Sequence, residues 1–94
     1  MTEELYEHRL KRLKMRSMRR GIKEMDLILS AFADDHLAQM DVATLDAYDA
    51  LLNENDHDLY RWVTGQESAP ARFSGLISTI SQALHGESAG LGGA

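Results

Sequence analysis

Arg19-Arg20-Gly21-Ile22-Lys23-Glu24-Met25-Asp26 is where the chain changes its electrical sign. Eight of the ten Lys and Arg residues lie before it or within it, at Arg9, Lys11, Arg12, Lys14, Arg16, Arg19, Arg20 and Lys23. From Glu24 to Asp58 there are acidic residues and no Lys or Arg. Gly21 sits at the changeover, between a basic segment and an apolar-striped one. A glycine inside a helix costs about 1 kcal/mol relative to alanine. Either a bend between two helices or the close approach of another molecule must offset that cost.

Working outward, both flanks carry helical periodicity. Residues 3 to 19 place Tyr6, Leu10 and Leu13 at i, i+4 and i+7 among cations, which predicts a basic amphipathic helix with a thin apolar stripe. Residues 21 to about 38 bring Ile22, Met25, Ile28, Leu29 and Phe32 to one face of a second helix. Asp34 and Asp35 oppose the dipole at its end and predict fraying or a break near Asp34. Asp41 is placed to cap a third helix carrying Leu45, Tyr48, Leu51 and Leu52. Asn53-Glu54-Asn55 reads as a stop, and Asp56 as the cap of a short fourth helix with Leu59, Trp62 and Val63 inward. Gly65 suits a helix C-terminus because it tolerates positive φ. Ala69-Pro70 opens the last helix, where Phe73, Leu76, Ile77, Ile80 and Leu84 form the cleanest stripe. No segment alternates as a strand does. The expectation is an all-α fold, a compact antiparallel bundle of about five helices over residues 1–85, with residues 86–94 a flexible C-terminal tail.

Ninety-four residues make one small domain, too little for a deep, self-contained catalytic cleft. The absence of cysteine excludes disulfides, thiolate catalysis and cysteine-ligated metal. No apolar run approaches the roughly 20 residues that cross a bilayer. The acidic start, Met1-Thr2-Glu3-Glu4-Leu5, has no secretory h-region. A net charge of −5 distributed so unevenly points to binding surfaces.

Catalytic and metal-binding constellations are sparse. His8, His36, His57 and His85 show no ligand spacing, and no metal site is expected. Asn53 to Asp58 lacks the turn glycine and distal glutamate of a calcium loop. Gly90-Leu91-Gly92-Gly93 follows no strand and so is no dinucleotide fingerprint. Ser74, Ser78 and Ser81 read as helix surface or packing, and Tyr60 and Trp62 as core or rim. No catalytic residue is expected, and the chain is not read as an enzyme. The basic run Arg9 to Lys23 admits three readings: a solvated face, a nucleic-acid-binding helix, or a surface packed against the acidic segment that follows. Arg20-Gly21-x-x-Glu24 sets a bare glycine beside a cation and near a carboxylate, which suits docking.

A longer string is more specific. Residues Arg16 to Leu29 (RSMRRGIKEMDLIL), followed by Asp58-Leu59-Tyr60-Arg61-Trp62, resemble the succinate dehydrogenase FAD assembly factor family, the flavinators, over about residues 9 to 84. The resemblance rests on Arg-Gly-x-x-Glu at Arg20 to Glu24 and on the Asp-Leu-aromatic-x-Trp block. It implies a five-helix assembly factor that promotes covalent attachment of FAD to a histidine of the flavoprotein subunit of succinate dehydrogenase, and often of fumarate reductase. It further implies that Arg20, Gly21 and Glu24, with the neighbours Arg19 and Asp26, contact that partner. FAD then belongs to the partner, and this chain binds no cofactor stably. The implied compartment is the cytoplasm of a bacterium, with the mitochondrial matrix as its eukaryotic equivalent. The alternative is a small helical regulator that binds nucleic acid through Arg9 to Lys23.

Overall fold

The computed structural model of the chain describes residues 5–93, with side chains described over 5–85. Five α-helices follow one another: α1 (Tyr6–Arg16), α2 (Lys23–His36), α3 (Val42–Leu51), α4 (Asp56–Val63) and α5 (Ala71–Gly93). A single 3-10 turn, Leu37–Gln39, continues α2. There is no strand among the described residues. The expected tail at 86–94 falls on residues whose side chains lie outside those described, while the backbone of α5 runs through Gly93.

The first three helices alternate in direction. The Tyr6 hydroxyl donates to the Ala38 carbonyl at 3.1 Å, so the start of α1 lies by the end of α2 and the two are antiparallel. Arg9 meets Asp46, Arg12 meets Asp49, and Arg16 meets Asn53, so α1 and α3 run the same way. Both α3 and α4 pack on α5, and α2 touches α1, α4 and α5.

The core is the set of apolar stripes turned inward. Leu13, Met25, Leu29, Phe32, Leu45, Tyr48, Leu51, Leu59, Val63, Phe73 and Ile80 are almost wholly buried. Side chains of this size each stabilise the fold by about 1.5–3 kcal/mol when fully buried. The α1 stripe is thinner than its pattern: Leu13 is buried, Leu10 is half-buried, and Tyr6 is exposed apart from its hydroxyl bond. Where α1 ends, Ser17 is fully buried; its Oγ donates to the Leu13 carbonyl at 2.8 Å and accepts from the Tyr48 hydroxyl at 2.5 Å.

Caps set the boundaries. The Asp41 carboxylate accepts from the Thr44 N–H at 2.8 Å, as expected. At α4 the expectation is corrected: Asn55 Oδ1 accepts from the His57 N–H at 2.7 Å, and Asn55, not Asp56, is the cap. Asp56 is the first helical residue, which frees its carboxylate for another task. Gly65 takes φ 82°, in the left-handed region glycine favours. The Phe73 N–H bonds back to the Pro70 carbonyl at 2.9 Å, as the last helix begins. Despite Asp34 and Asp35, α2 holds to His36; Lys14 Nζ lies 2.6 Å from Asp34 Oδ1 and offsets part of the dipole penalty.

Candidate functional site: the turn between the first two helices

Residues 17 to 22 form the connection that sequence places at the sign change. The Ser17 N–H still bonds the Leu13 carbonyl at 3.0 Å, and the Met18 N–H the Met15 carbonyl at 3.1 Å. Arg19 then takes φ 55°, the only non-glycine residue described with positive φ. For an L-residue that conformation costs about 1–2 kcal/mol. It persists because the next two residues are held firmly.

Arg20 is the anchor. Its Nε donates to Asp56 Oδ1 at 2.8 Å, and its Nη2 lies 2.7 Å from the same oxygen. Nη1 donates to the Arg16 carbonyl at 3.0 Å and the Leu52 carbonyl at 3.1 Å, and Nη2 to the Glu54 carbonyl at 3.3 Å. One guanidinium thus caps the C-terminal ends of both α1 and α3, where cations are favoured. The Arg20 and Asp56 side chains are only 12% and 14% exposed. Sequence placed Arg20 as a charge offered outward; the structure turns it inward.

Gly21 is exposed, and its N–H donates to Asp56 Oδ2 at 2.5 Å. Its φ lies outside the left-handed region, so what favours glycine here is space. A Cβ at this position would lie 3.0 Å from Asp56 Oδ2. Ile22 enters α2 with extended backbone, and its carbonyl accepts from the Asp26 N–H at 3.0 Å. Glu24 and Asp26 occupy the first turn of α2, where negative charge is favoured. Asp26 is half-buried, and its Oδ1 accepts from the Ser30 hydroxyl at 3.2 Å. Met18, Arg19, Gly21, Lys23 and Glu24 remain exposed, an apolar, basic and acidic rim around a bare stretch of backbone.

Of the five residues expected at a partner surface, Arg19, Arg20 and Gly21 lie in the turn, and Glu24 and Asp26 in the first helical turn of α2. Arg19, Gly21 and Glu24 face solvent, Asp26 half does, and Arg20 supports from beneath. The residue that sequence reading missed is Asp56. It read as a helix cap within an acidic run, and its only local signal was the better cap one position earlier, Asn55.

The basic helix resolves to the third reading. Arg9 pairs with Asp46 at 2.5 Å, Arg12 with Asp49 at 2.9 Å, Arg16 also with Asp49, and Arg16 Nη2 donates to Asn53 at 2.6 Å. Hydrogen bonding from Arg12, reinforced by the charges of Arg12, Arg16 and Arg9, holds the Asp49 carboxyl below its usual range against the effect of burial. Cations spent on α3 carboxylates are poorly placed for phosphates, and the nucleic-acid reading has no support. Among the described residues no group of three or more His, Cys, Asp or Glu could hold a metal, and no helix is long and apolar enough to cross a membrane.

Fold and site together define a small all-α protein that presents one pinned turn. Residues 11–84 match the family model described as flavinator of succinate dehydrogenase. The chain belongs to that family. It is 51% identical over 62 residues to the succinate dehydrogenase assembly factor 2, mitochondrial, of Schizosaccharomyces japonicus, covering 66% of this chain and 43% of the relative. The protein of the same name from Candida glabrata is 58% identical over 53 residues, 56% of this chain and 35% of the relative. That from Mycosarcoma maydis is 37% identical over 82 residues, 87% of this chain and 34% of the relative. The chain therefore spans less than half the length of these relatives.

Proposed function

We propose that this chain binds the flavoprotein subunit of succinate dehydrogenase and promotes covalent attachment of FAD to it by stabilising the attachment-competent conformation. Family membership over residues 11–84, which takes in the whole turn, carries the reading. The exposed backbone at Gly21 and the opposite charges of Arg19 and Glu24 support it.

The bond-forming chemistry stays in the partner, where FAD is the substrate and a histidine the acceptor; this chain supplies surface and holds no flavin of its own. Orientation of reacting groups is worth several kcal/mol. A protein that binds only the oriented conformer shifts its population by the difference in its affinity for the two states, about 1–3 kcal/mol for couplings of this kind. Fumarate reductase flavoprotein is a second client of the same chemistry. The compartment is the one where the flavoprotein matures, cytoplasm in a bacterium or matrix in a mitochondrion.

The test is in-gel flavin fluorescence of the purified flavoprotein subunit, incubated with FAD and with or without this chain. Covalent flavin rises with the chain present and stays low with Glu24→Lys, whose side chain is exposed and outside the internal bonding of the turn. Equal fluorescence with and without the chain refutes the reading. Gly21→Arg is a less clean probe, because its Cβ also meets Asp56.

A further inference from the structure

The carboxylate of Asp56 has no capping duty, since Asn55 already caps α4. It lies 14% exposed beneath the turn, and its two oxygens are divided. Oδ1 holds the Arg20 guanidinium through Nε and Nη2, while Oδ2 holds the Gly21 N–H. One side chain from α4 thus fixes both the side chain of one residue and the backbone of the next, across 36 and 35 positions of sequence. Immediately before these two residues stands Arg19, in the left-handed conformation its own chemistry disfavours.

We infer that Asp56 is a positioning residue for partner binding: it imposes the presented shape of the Met18–Ile22 turn, and it crowds the place where a side chain at residue 21 would begin. This rests on the flavoprotein-docking reading above. Asp56 acts through the turn, with its own carboxylate turned inward. The close approach that crowds a Cβ comes from within the molecule, at 3.0 Å from Asp56 Oδ2. A partner then meets a rim whose backbone is already set, and binding loses less conformational freedom than it would with a loose loop.

Asp56→Asn keeps the shape of the side chain but gives it a donor, so it cannot accept from both Arg20 and the Gly21 N–H through separate oxygens. Two readouts are taken below the onset of unfolding, with helical content checked by circular dichroism. The first is the Gly21 amide in the free protein. Asp56→Asn shifts its resonance and speeds its hydrogen exchange, while core amides of α5 such as Ile77 and Ile80 stay protected. The second is affinity for the purified flavoprotein subunit, which weakens about tenfold or more. A purely structural role would lower thermal stability and leave this affinity intact. Asp56→Asn binding within about twofold of the unmodified chain, while Glu24→Lys loses binding, overturns the inference and leaves the docking reading standing. No binding by the unmodified chain refutes the docking reading and with it the affinity part. The Gly21 amide then still decides whether Asp56 shapes the turn, and an unchanged amide refutes that too. If Asp56→Asn does not fold, Arg20→Lys serves in both arms, because it keeps the charge and loses the planar fork. A third check is that Gly21→Ala destabilises the unmodified chain more than it does Asp56→Ala, where the obstructing oxygen is gone; equal costs count against the inference.

Discussion

Two groups of arginine–aspartate pairs lie within a few residues of each other and behave differently. Along the seam between α1 and α3, Arg12 and Asp49 are 40% and 27% exposed, and water competes for both. At the turn, Arg20 and Asp56 are 12% and 14% exposed, and the same carboxylate also holds a backbone N–H. The chemistry of the charges is the same; the solvent around them is not. Exposed pairs contribute about 0–1 kcal/mol, because the ions keep most of their hydration when apart. A buried charge deprived of its partner has no such refuge, and its loss costs about 3–5 kcal/mol. The seam steers α1 onto α3, whereas the turn depends on its ion pair for its shape.

The comparison is broken most severely at Asp56. Asp56→Ala strands the Arg20 guanidinium and the Gly21 N–H, and should destabilise the fold by about 3 kcal/mol, a fall in Tm of more than about 10 °C for a domain of this size. A fall of only 1–2 °C in a thermal melt would place this pair with the seam. Next comes the hydroxyl pair that joins the two regions, Ser17 with Tyr48. Burial pushes the Tyr48 hydroxyl up from 10.0 to about 12, against the lowering effects of Ser17, Arg20 and Arg16. The unfolded chain therefore releases this proton more readily than the folded one. The stabilisation it represents is complete below pH 10 and is lost as pH rises from about 10 to about 12. Two pKa steps correspond to about 2–3 kcal/mol. Denaturant melts should show this alkaline loss in the unmodified chain, and Tyr48→Phe should flatten it at a cost near neutrality of about 1 kcal/mol.

Smaller again is the seam itself. Arg12→Ala should cost under about 1 kcal/mol, and the difference from the unmodified chain should shrink in about 1 M salt, where charges are screened beyond about 3 Å. The Asp56→Ala difference should barely respond to salt, and equal salt sensitivity of the two would dissolve the distinction. The smallest effect has the opposite sign. Arg19→Gly removes the strain of φ 55° and should stabilise the chain by about 0.5–1 kcal/mol, part of the gain being offset by glycine's freedom in the unfolded state. A destabilised Arg19→Gly would mean that the Arg19 side chain has an unseen structural role.

Sequence determined that this chain is helical, and where. The apolar spacings of Met25, Leu29 and Phe32, and of Phe73, Ile77 and Ile80, return on one face every turn, and burial follows that face because the periodicity of a helix is local. Asp41, Gly65 and the change of charge sign at Gly21 were readable for the same reason: capping, positive φ and helix dipoles act within a turn or two of the chain. The Arg-Gly-x-x-Glu string also carried the resemblance to the flavinator family, which the match over residues 11–84 bears out. Only the tertiary structure decided which way Arg20 faces, that Asn55 and not Asp56 caps α4, and that the arginines of α1 lie on Asp46 and Asp49. Those outcomes depend on which helix lands against which, and at what register. An arginine in sequence carries one charge wherever it sits; whether that charge is a bare surface feature or a buried anchor is settled by how much water the packing leaves beside it.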